Sequence, residues 1–466
     1  MALRYETVNT CAECGQCKGG ERCKVVRQPL RKYGGIRFTA DGFDCALPVS
    51  MDSHSHCAYG CLYCFADNLM SHRDGTQVAV GQTSLARIEA IFSGAGGKLA
   101  DIYRKALKYD RRNVAGYPCA VQMGTLCEPC DNIERQQGWL LDFIDLAIKY
   151  RQPVRLSTKG KLFLLSDYQA RLAPAPELFW VAFSLITPDD DLLAKIDLRA
   201  PSATDRLQTM AALSKMGVKT SLRLRPMLPG VTDSTRRHPH ALKELIDRAA
   251  AAGAKAVSCE VAFTPGNASA DVRRRWAALA AVTGIDYLEL YKGFGKPQSC
   301  NRPSFAWTEE IMHAVVEYAH AANLVVGVSD PVWKQLGDTG CCCGILPDDP
   351  VFGNWQRESA TNQLLEAKAT GKEIGPADIT PAWAHDVLMS HLVNMGVGPL
   401  IVWERNHLTW ADKLRQIWNT PAMERSPLQY FQGALQPVRR DSNGDLFYQY
   451  KGLTRLNLHG KLWQVR

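Results

Sequence analysis

From about residue 44 to residue 330 the chain alternates short apolar runs with longer amphipathic stretches, the pattern of repeated βα units feeding a parallel sheet. The runs "DCALPVS", "PCAVQMG", "PVRLSTK", "FWVAFSLI", "KTSLRLRP", "AVSCEVAF" and "NLVVGVS" predict strands. Between them "SLARIEAIFSGAGGKLADIYRKALK", "ERQQGWLLDFIDLAIKY", "ATDRLQTMAALSKMG", "HALKELIDRAAAAGA" and "TEEIMHAVVEYAHAAN" predict helices. The third and fourth end on glycine, the stop expected of a helix that turns back into a strand. Six or seven such units in series predict an α/β fold with a complete or partial barrel rather than a bundle. Before residue 44 lies a Cys- and Gly-rich stretch without periodicity. After about residue 330 the alternation gives way to helical "AWAHDVLMSHLV" and "TWADKLRQIW" and a hairpin-like "VRRDSNGDLFYQYKG". The expected organisation is a Cys-rich extension (1–44), a barrel (45–330) and a mainly helical C-terminal extension (331–466).

Composition narrows the class. Hydrophobic residues at 46% and charged residues at 22% are ordinary for a globular protein and set disordered and fibrous classes aside. No apolar run approaches a membrane span and the N-terminus lacks a signal-peptide core, so a cytoplasmic location is expected. Sixteen cysteines in such a chain point to metal rather than disulfides, because the cytosol keeps thiols reduced. They are also bunched: Cys11, Cys14, Cys17 and Cys23; Cys57, Cys61 and Cys64; Cys127 and Cys130; Cys341, Cys342 and Cys343. Cys45, Cys119, Cys259 and Cys300 stand apart and read as structural. The net charge of +8, with basic groups such as "STRRHPH" and "DVRRRW", suits either a polyanionic partner or solvated basic helix faces.

The loop "SHCAYGCLYCFADN" sets Cys57, Cys61 and Cys64 at Cys-x3-Cys-x2-Cys spacing after the first predicted strand, hence at the C-terminal mouth of a barrel. Thiolates are soft ligands for iron–sulfur clusters or zinc. Three on one loop leave a cubane cluster with one iron open to a small molecule. A zinc knuckle completed by His54 or His56 is the other reading.

With its spacing and position, this loop resembles the hallmark of the radical S-adenosylmethionine (SAM) superfamily, which implies a partial (β/α)6-type barrel. The resemblance implies that Cys57, Cys61 and Cys64 hold a 4Fe-4S cluster whose open iron chelates SAM, and that Tyr63 lies near the adenine. Electron transfer to the sulfonium would release a 5'-deoxyadenosyl radical that abstracts a substrate hydrogen. The segment "FWVAFSLITPDDDLLAKIDLRAPSATDRLQTMAALSKMGVKTSLRLRPMLPGVTD" is similar to the spore photoproduct lyase branch. It implies Ser184 and Arg223 or Arg225 as SAM contacts, strand-end ion pairing being the alternative for the arginines. Where many members carry a Gly-Gly-Glu-type motif, this chain has "QMGTLCEPCDNIE". Gly124 and Thr125 take that place, with Glu128 or Asp131 as the acid.

The remaining cysteines have readings of their own. "CAECGQCKGGERC" is close to a bacterial ferredoxin run, which predicts an auxiliary 4Fe-4S cluster on Cys11, Cys14, Cys17 and Cys23, with zinc as the rival and Cys45 as a substitute ligand. Cys127 and Cys130 need two further ligands, which Cys341, Cys342 and Cys343 would supply for a third cluster or a zinc site. The lyase resemblance implies thymine chemistry in DNA. Three clusters with lyase-like sequence resemble the bacteriophage isomerases that rearrange glycinylthymidine during thymine hypermodification, which would place the enzyme in the host cytoplasm. DNA or a modified nucleoside is the expected substrate, and a flavodoxin- or ferredoxin-type protein the expected electron donor. Lesion repair and peptide or protein maturation are the alternatives. Cys259, Cys300, Tyr287 and Tyr291 are candidate hydrogen-atom relays, each also explained by packing.

Overall fold

The computed structural model describes residues 5–8, 23–26, 31–38, 44–45, 47, 49–66, 81–109, 116–266, 268–292, 295–296, 300–353, 359–379, 387–391, 402–423 and 425–453. Cys11, Cys14 and Cys17 lie outside these residues, and Cys23 is described only as backbone, in the strand Cys23–Val26 that pairs antiparallel with Tyr5–Val8. The predicted N-terminal cluster therefore falls outside the described residues. Two compact units are present: residues 1–36, 51–89 and 122–324, and residues 37–50, 90–121 and 325–466.

The first unit is built on a parallel sheet. Its strands are β1 (Val49–Met51) and β2 (Val121–Met123), both ending in this unit, β3 (Val154–Thr158), β4 (Phe179–Ser184), β5 (Lys219–Met227) and β6 (Ala256–Val261). They lie side by side in chain order, and β3–β4, β4–β5 and β5–β6 pair parallel. Each step between neighbours carries helix, as the right-handed βα crossover requires. Strands in chain order with this winding make the partial barrel of an α/β protein.

Register separates two faces. Leu222 pairs with Phe183 and Val257, and Leu224 with Cys259, giving an apolar face; Ser184 pairs with Arg223, and Arg223 with Ser258, giving a polar one. All six residues of β4 and all five of β3 are buried, so both faces are covered. Cys259 packs on the apolar face with its Sγ 3.8 Å from Met312 Sδ, in the helix Phe305–Ala321.

Glycine divides two of the predicted helices. "ERQQGWLLDFIDLAIKY" becomes Asn132–Gln137 and Trp139–Lys149, because Gly138 adopts φ +66° and ends the first helix with its amide on Glu134 O. The stretch from 84 to 108 likewise forms Leu85–Ser93 and Lys98–Ala106, with Gly94, Gly96 and Gly97 between them.

The second unit contains the predicted seventh strand, Val325–Val328, the helix Ala360–Thr370, the helix Trp410–Asn419 and the hairpin Leu435–Arg440 with Leu446–Tyr450. Thr409 and Asp412 close a capping box on the second of these helices. Its buried Trp418 donates from Nε1 to Leu446 O at 2.7 Å, and Tyr448 Oη donates back to Trp418 O at 2.7 Å, locking hairpin to helix. Among the described residues no helix is long and apolar enough to cross a membrane.

Candidate functional site

Two loops from the C-terminal ends of β1 and β2 build the site. After β1, buried Asp52 accepts from the amides of Thr125 (2.9 Å), Leu126 (3.0 Å) and Cys127 (3.3 Å), so one carboxylate shapes the loop that follows β2. That loop begins at Gly124, whose φ of +73° and lack of Cβ are both needed, since a methyl group there would run into Ser157 O and the Pro129 ring. Asp131, at the far end of the loop, caps the helix Asn132–Gln137 and also accepts from Ala58 N at 2.9 Å. The three-cysteine loop is further pinned by Tyr59 Oη donating to Cys130 O (3.0 Å), Leu62 N to Ile196 O (2.9 Å) and Arg199 N to Tyr59 O (3.1 Å).

These loops and the ends of β3, β4 and β5 line an open-mouthed cavity of about 100 Å³. Cys57, Cys61 and Cys64 line it with Tyr63. So do Gly124, Thr125, Ser184, Arg223 and Arg225, which with Tyr63 make up the residues expected to contact SAM. Arg223 Nη1 donates to Ser184 Oγ at 3.1 Å, which joins two of them. Arg225 Nη1 stands 3.7 Å from Glu260 Oε2, so the strand-end ion pair exists at a residue that also faces the cavity. Deeper in the same sheet Arg155 is buried with Nε and Nη2 lacking hydrogen-bond partners, while Nη1 donates to the cavity-lining Ser157.

The sequence reading missed the charge network under the three-cysteine loop. Lys159, which follows β3, donates from Nζ to Tyr63 Oη (2.7 Å), Asp197 Oδ1 (2.8 Å) and Cys61 Sγ (3.2 Å). Fully buried Arg206 reaches Asp197 Oδ2 at 2.7 Å and Ser184 O at 2.8 Å. Burial alone would raise the Asp197 carboxyl, but Lys159 and Arg206 hold it well below the usual carboxylate range. Burial, and then the charge of Asp197, pushes the Cys61 thiol up. The position of Lys159 directly after a strand of the sheet was the available signal, because sites gather at these strand ends. Asp197 and Arg206 sit within the lyase-like segment, but nothing in their spacing marks them as a pair.

Glu128 also lines the cavity. Thr158 Oγ1, Cys130 N (3.0 Å) and Lys159 N (2.8 Å) donate to its carboxylate, while burial pushes its pKa up to about 7. Asp131, the other candidate acid, is spent on backbone amides.

Other predicted residues fall elsewhere. Cys127 lines the cavity, whereas Cys130 is wholly buried against Gly160, so the two face different surroundings. Cys341, Cys342 and Cys343 belong to the second unit. Tyr287 and Tyr291 are buried edge to face at 5.9 Å, with Tyr287 Oη donating to Pro229 O at 2.8 Å, as packing residues do. His54 Nδ1 meets Ser53 Oγ at 2.7 Å, and neither His54 nor His56 lines the cavity. Among the described residues no three Cys, His, Asp or Glu side chains close round a single ion. Three thiols spread over one cavity wall suit a cubane, where each thiolate takes a separate iron.

No protein-family model matches the chain. Uncharacterized proteins of Mycobacterium bovis and Mycobacterium tuberculosis are 26% identical over 223 residues, 46% of this chain and 58% of the relative. The chain thus spans 58% of the length of these curated relatives. Among solved structures, a spore photoproduct lyase complexed with dinucleoside spore photoproduct is similar at a TM-score of 0.44 and 13% identity, over 62% of this chain and 78% of that one. Streptococcus suis SuiB follows at 0.37 and 14%, over 62% and 49%. Fold and cavity define an α/β protein with a thiol-lined site at the C-terminal ends of a parallel sheet.

Proposed function

We propose that the chain is a radical SAM enzyme that holds a 4Fe-4S cluster on Cys57, Cys61 and Cys64 and rearranges or modifies a thymine-derived base in DNA. The specific reaction proposed is isomerisation of glycinylthymidine in bacteriophage DNA hypermodification. One observation carries the reading: the three loop cysteines share a cavity with Tyr63, Gly124, Thr125, Ser184, Arg223 and Arg225.

When bound, the cluster and SAM supply one-electron cleavage of the sulfonium, which is cofactor chemistry. The chain's own residues bind and orient. Lys159 donates to Cys61 Sγ and favours its thiolate form as a ligand, while the same ammonium fixes the hydroxyl of Tyr63 and so the wall offered to the adenine. Gly124 lets the backbone come close, and Thr125 offers a hydroxyl for the amino group of SAM. Arg223 and Ser184 present a charged donor and a hydroxyl to the ribose or carboxylate. Glu128, with its raised pKa, is the acid of the site.

The net charge of +8 supports a polyanionic substrate, and a flavodoxin- or ferredoxin-type protein is the proposed electron donor. The test is mass spectrometry of glycinylthymidine-containing DNA, and of the free nucleoside, after anaerobic incubation with enzyme, SAM and dithionite. Isomerisation predicts a product of unchanged mass with a new retention time and fragment pattern. Recovery of thymines from spore photoproduct instead would assign lesion repair, and no change in any nucleic acid would overturn the DNA reading.

A further inference from the structure

We propose that Arg155 binds a carboxylate at the end of the substrate's base substituent, held at the inner end of the cavity. This rests on the reading of that cavity as the site of an enzyme acting on a modified nucleoside, and adds the group that reads the substrate's charge. Arg155 is 2% exposed, and its Nε and Nη2 have no hydrogen-bond partner. A guanidinium is effectively always charged, and a charge removed from water needs an opposite charge beside it. Glu260 faces Arg225 at 3.7 Å, and Glu128 is taken up by Thr158 Oγ1 and the amides of Cys130 and Lys159. Among the described residues no carboxylate pairs with Arg155.

Strand register shows where this guanidinium looks. Ser157 lies two residues on from Arg155 in β3, hence on the same face, and pairs with Ala182 of β4, itself two residues before Ser184. Ser184 in turn pairs with Arg223. Arg155 therefore belongs to the polar face that brings Ser157, Ser184, Arg223 and Arg225 to the cavity. Its Nη1 donates to Ser157 Oγ, which keeps its own hydrogen to give to a ligand. The two unpartnered nitrogens, Nε and Nη2, share one edge of the planar guanidinium, so their N–H bonds point the same way. That parallel pair matches the two oxygens of one carboxylate. A phosphodiester within DNA, tethered on both sides, does not reach a group buried this deeply, whereas a carboxylate that ends a short substituent does. Glycinylthymidine carries such a carboxylate.

Binding is measured by equilibrium dialysis on the full chain, anaerobically reconstituted with iron, sulfide and SAM but without reductant. The probes are glycinylthymidine, its methyl ester, thymidine and thymidine 5'-monophosphate. The unaltered protein should bind the acid about tenfold or more tightly than the ester, the worth of hydrogen bonds to a charged group. Arg155→Met should bind acid and ester alike, and Arg155→Lys, which keeps the charge but loses the fork, should fall between. Equal binding of acid and ester by the unaltered protein, or a preference for the acid that survives in Arg155→Met, overturns the proposal. So does an Arg155-dependent preference for the monophosphate over thymidine with none for the acid over the ester, which would assign the guanidinium to a phosphate. Formation of 5'-deoxyadenosine once reductant is added tests the SAM reading separately, because the comparison of acid with ester needs no turnover.

Discussion

Asp197 shows what individual residues contribute to this site. Its carboxylate compensates two cations, Lys159 and Arg206, while almost completely buried itself. Asp197→Asn keeps the shape and removes the charge, leaving buried guanidinium and ammonium groups uncompensated. Breaking such a pair costs about 3–5 kcal/mol, so the urea midpoint should fall clearly; a variant as stable as the parent would contradict the network. Glu134 gives a pH prediction of known sign. Burial raises its pKa from 4.5 to about 8, while Leu140 N (2.9 Å) and Tyr168 Oη (2.8 Å) donate to it. The unfolded chain releases this proton near pH 4.5 and the folded chain near 8, so this group's contribution to stability falls as pH rises through that window. Glu134→Gln should flatten the decline in denaturant midpoint between those pH values; parallel curves would refute the assignment. The three cysteines were legible because their spacing is itself the signal. Asp197 and Arg206 were not, because ion pairs between distant residues leave no period in the sequence, and Lys159 was marked only by its place after a strand.

At the scale of elements, the strands were the most readable feature. Both faces of β3 and β4 are buried, and the resulting runs "PVRLSTK" and "FWVAFSLI" stand out without any alternation. Helix boundaries were harder, since a glycine inside an amphipathic stretch is compatible with either a tolerated residue or a stop. Short helices such as Ser166–Leu172 and Asp190–Ile196 carry too few turns to show a period. Two glycines separate backbone cost from site geometry. Gly124 and Gly138 both have positive φ, which costs a side chain about 1–2 kcal/mol, but only Gly124 lacks room for a Cβ. Gly138→Ala should therefore lower the melting temperature alone, whereas Gly124→Ala should also weaken SAM binding in equilibrium dialysis at least tenfold. Equal SAM affinity in the two variants would remove the loop after β2 from the binding site.

For the molecule as a whole, charge and cofactor content decide the account. A DNA substrate engaged through lysines and arginines implies retention on duplex or single strands that weakens steeply as salt rises. A flat salt response would argue against phosphate contacts. Several basic groups are already engaged within the fold, among them Arg237 with Asp191 and Arg439 with Glu373, which is why composition alone did not locate a binding face. Whatever the substrate, the proposed function requires the cavity lined by Cys57, Cys61 and Cys64 to support cleavage of SAM. The most direct measurement is chromatographic quantitation of 5'-deoxyadenosine from anaerobically reconstituted protein, SAM and dithionite, alongside Cys61→Ala. The unaltered protein should form 5'-deoxyadenosine and the variant none; an iron-loaded protein that forms none, or a variant that forms as much as the parent, would contradict the account.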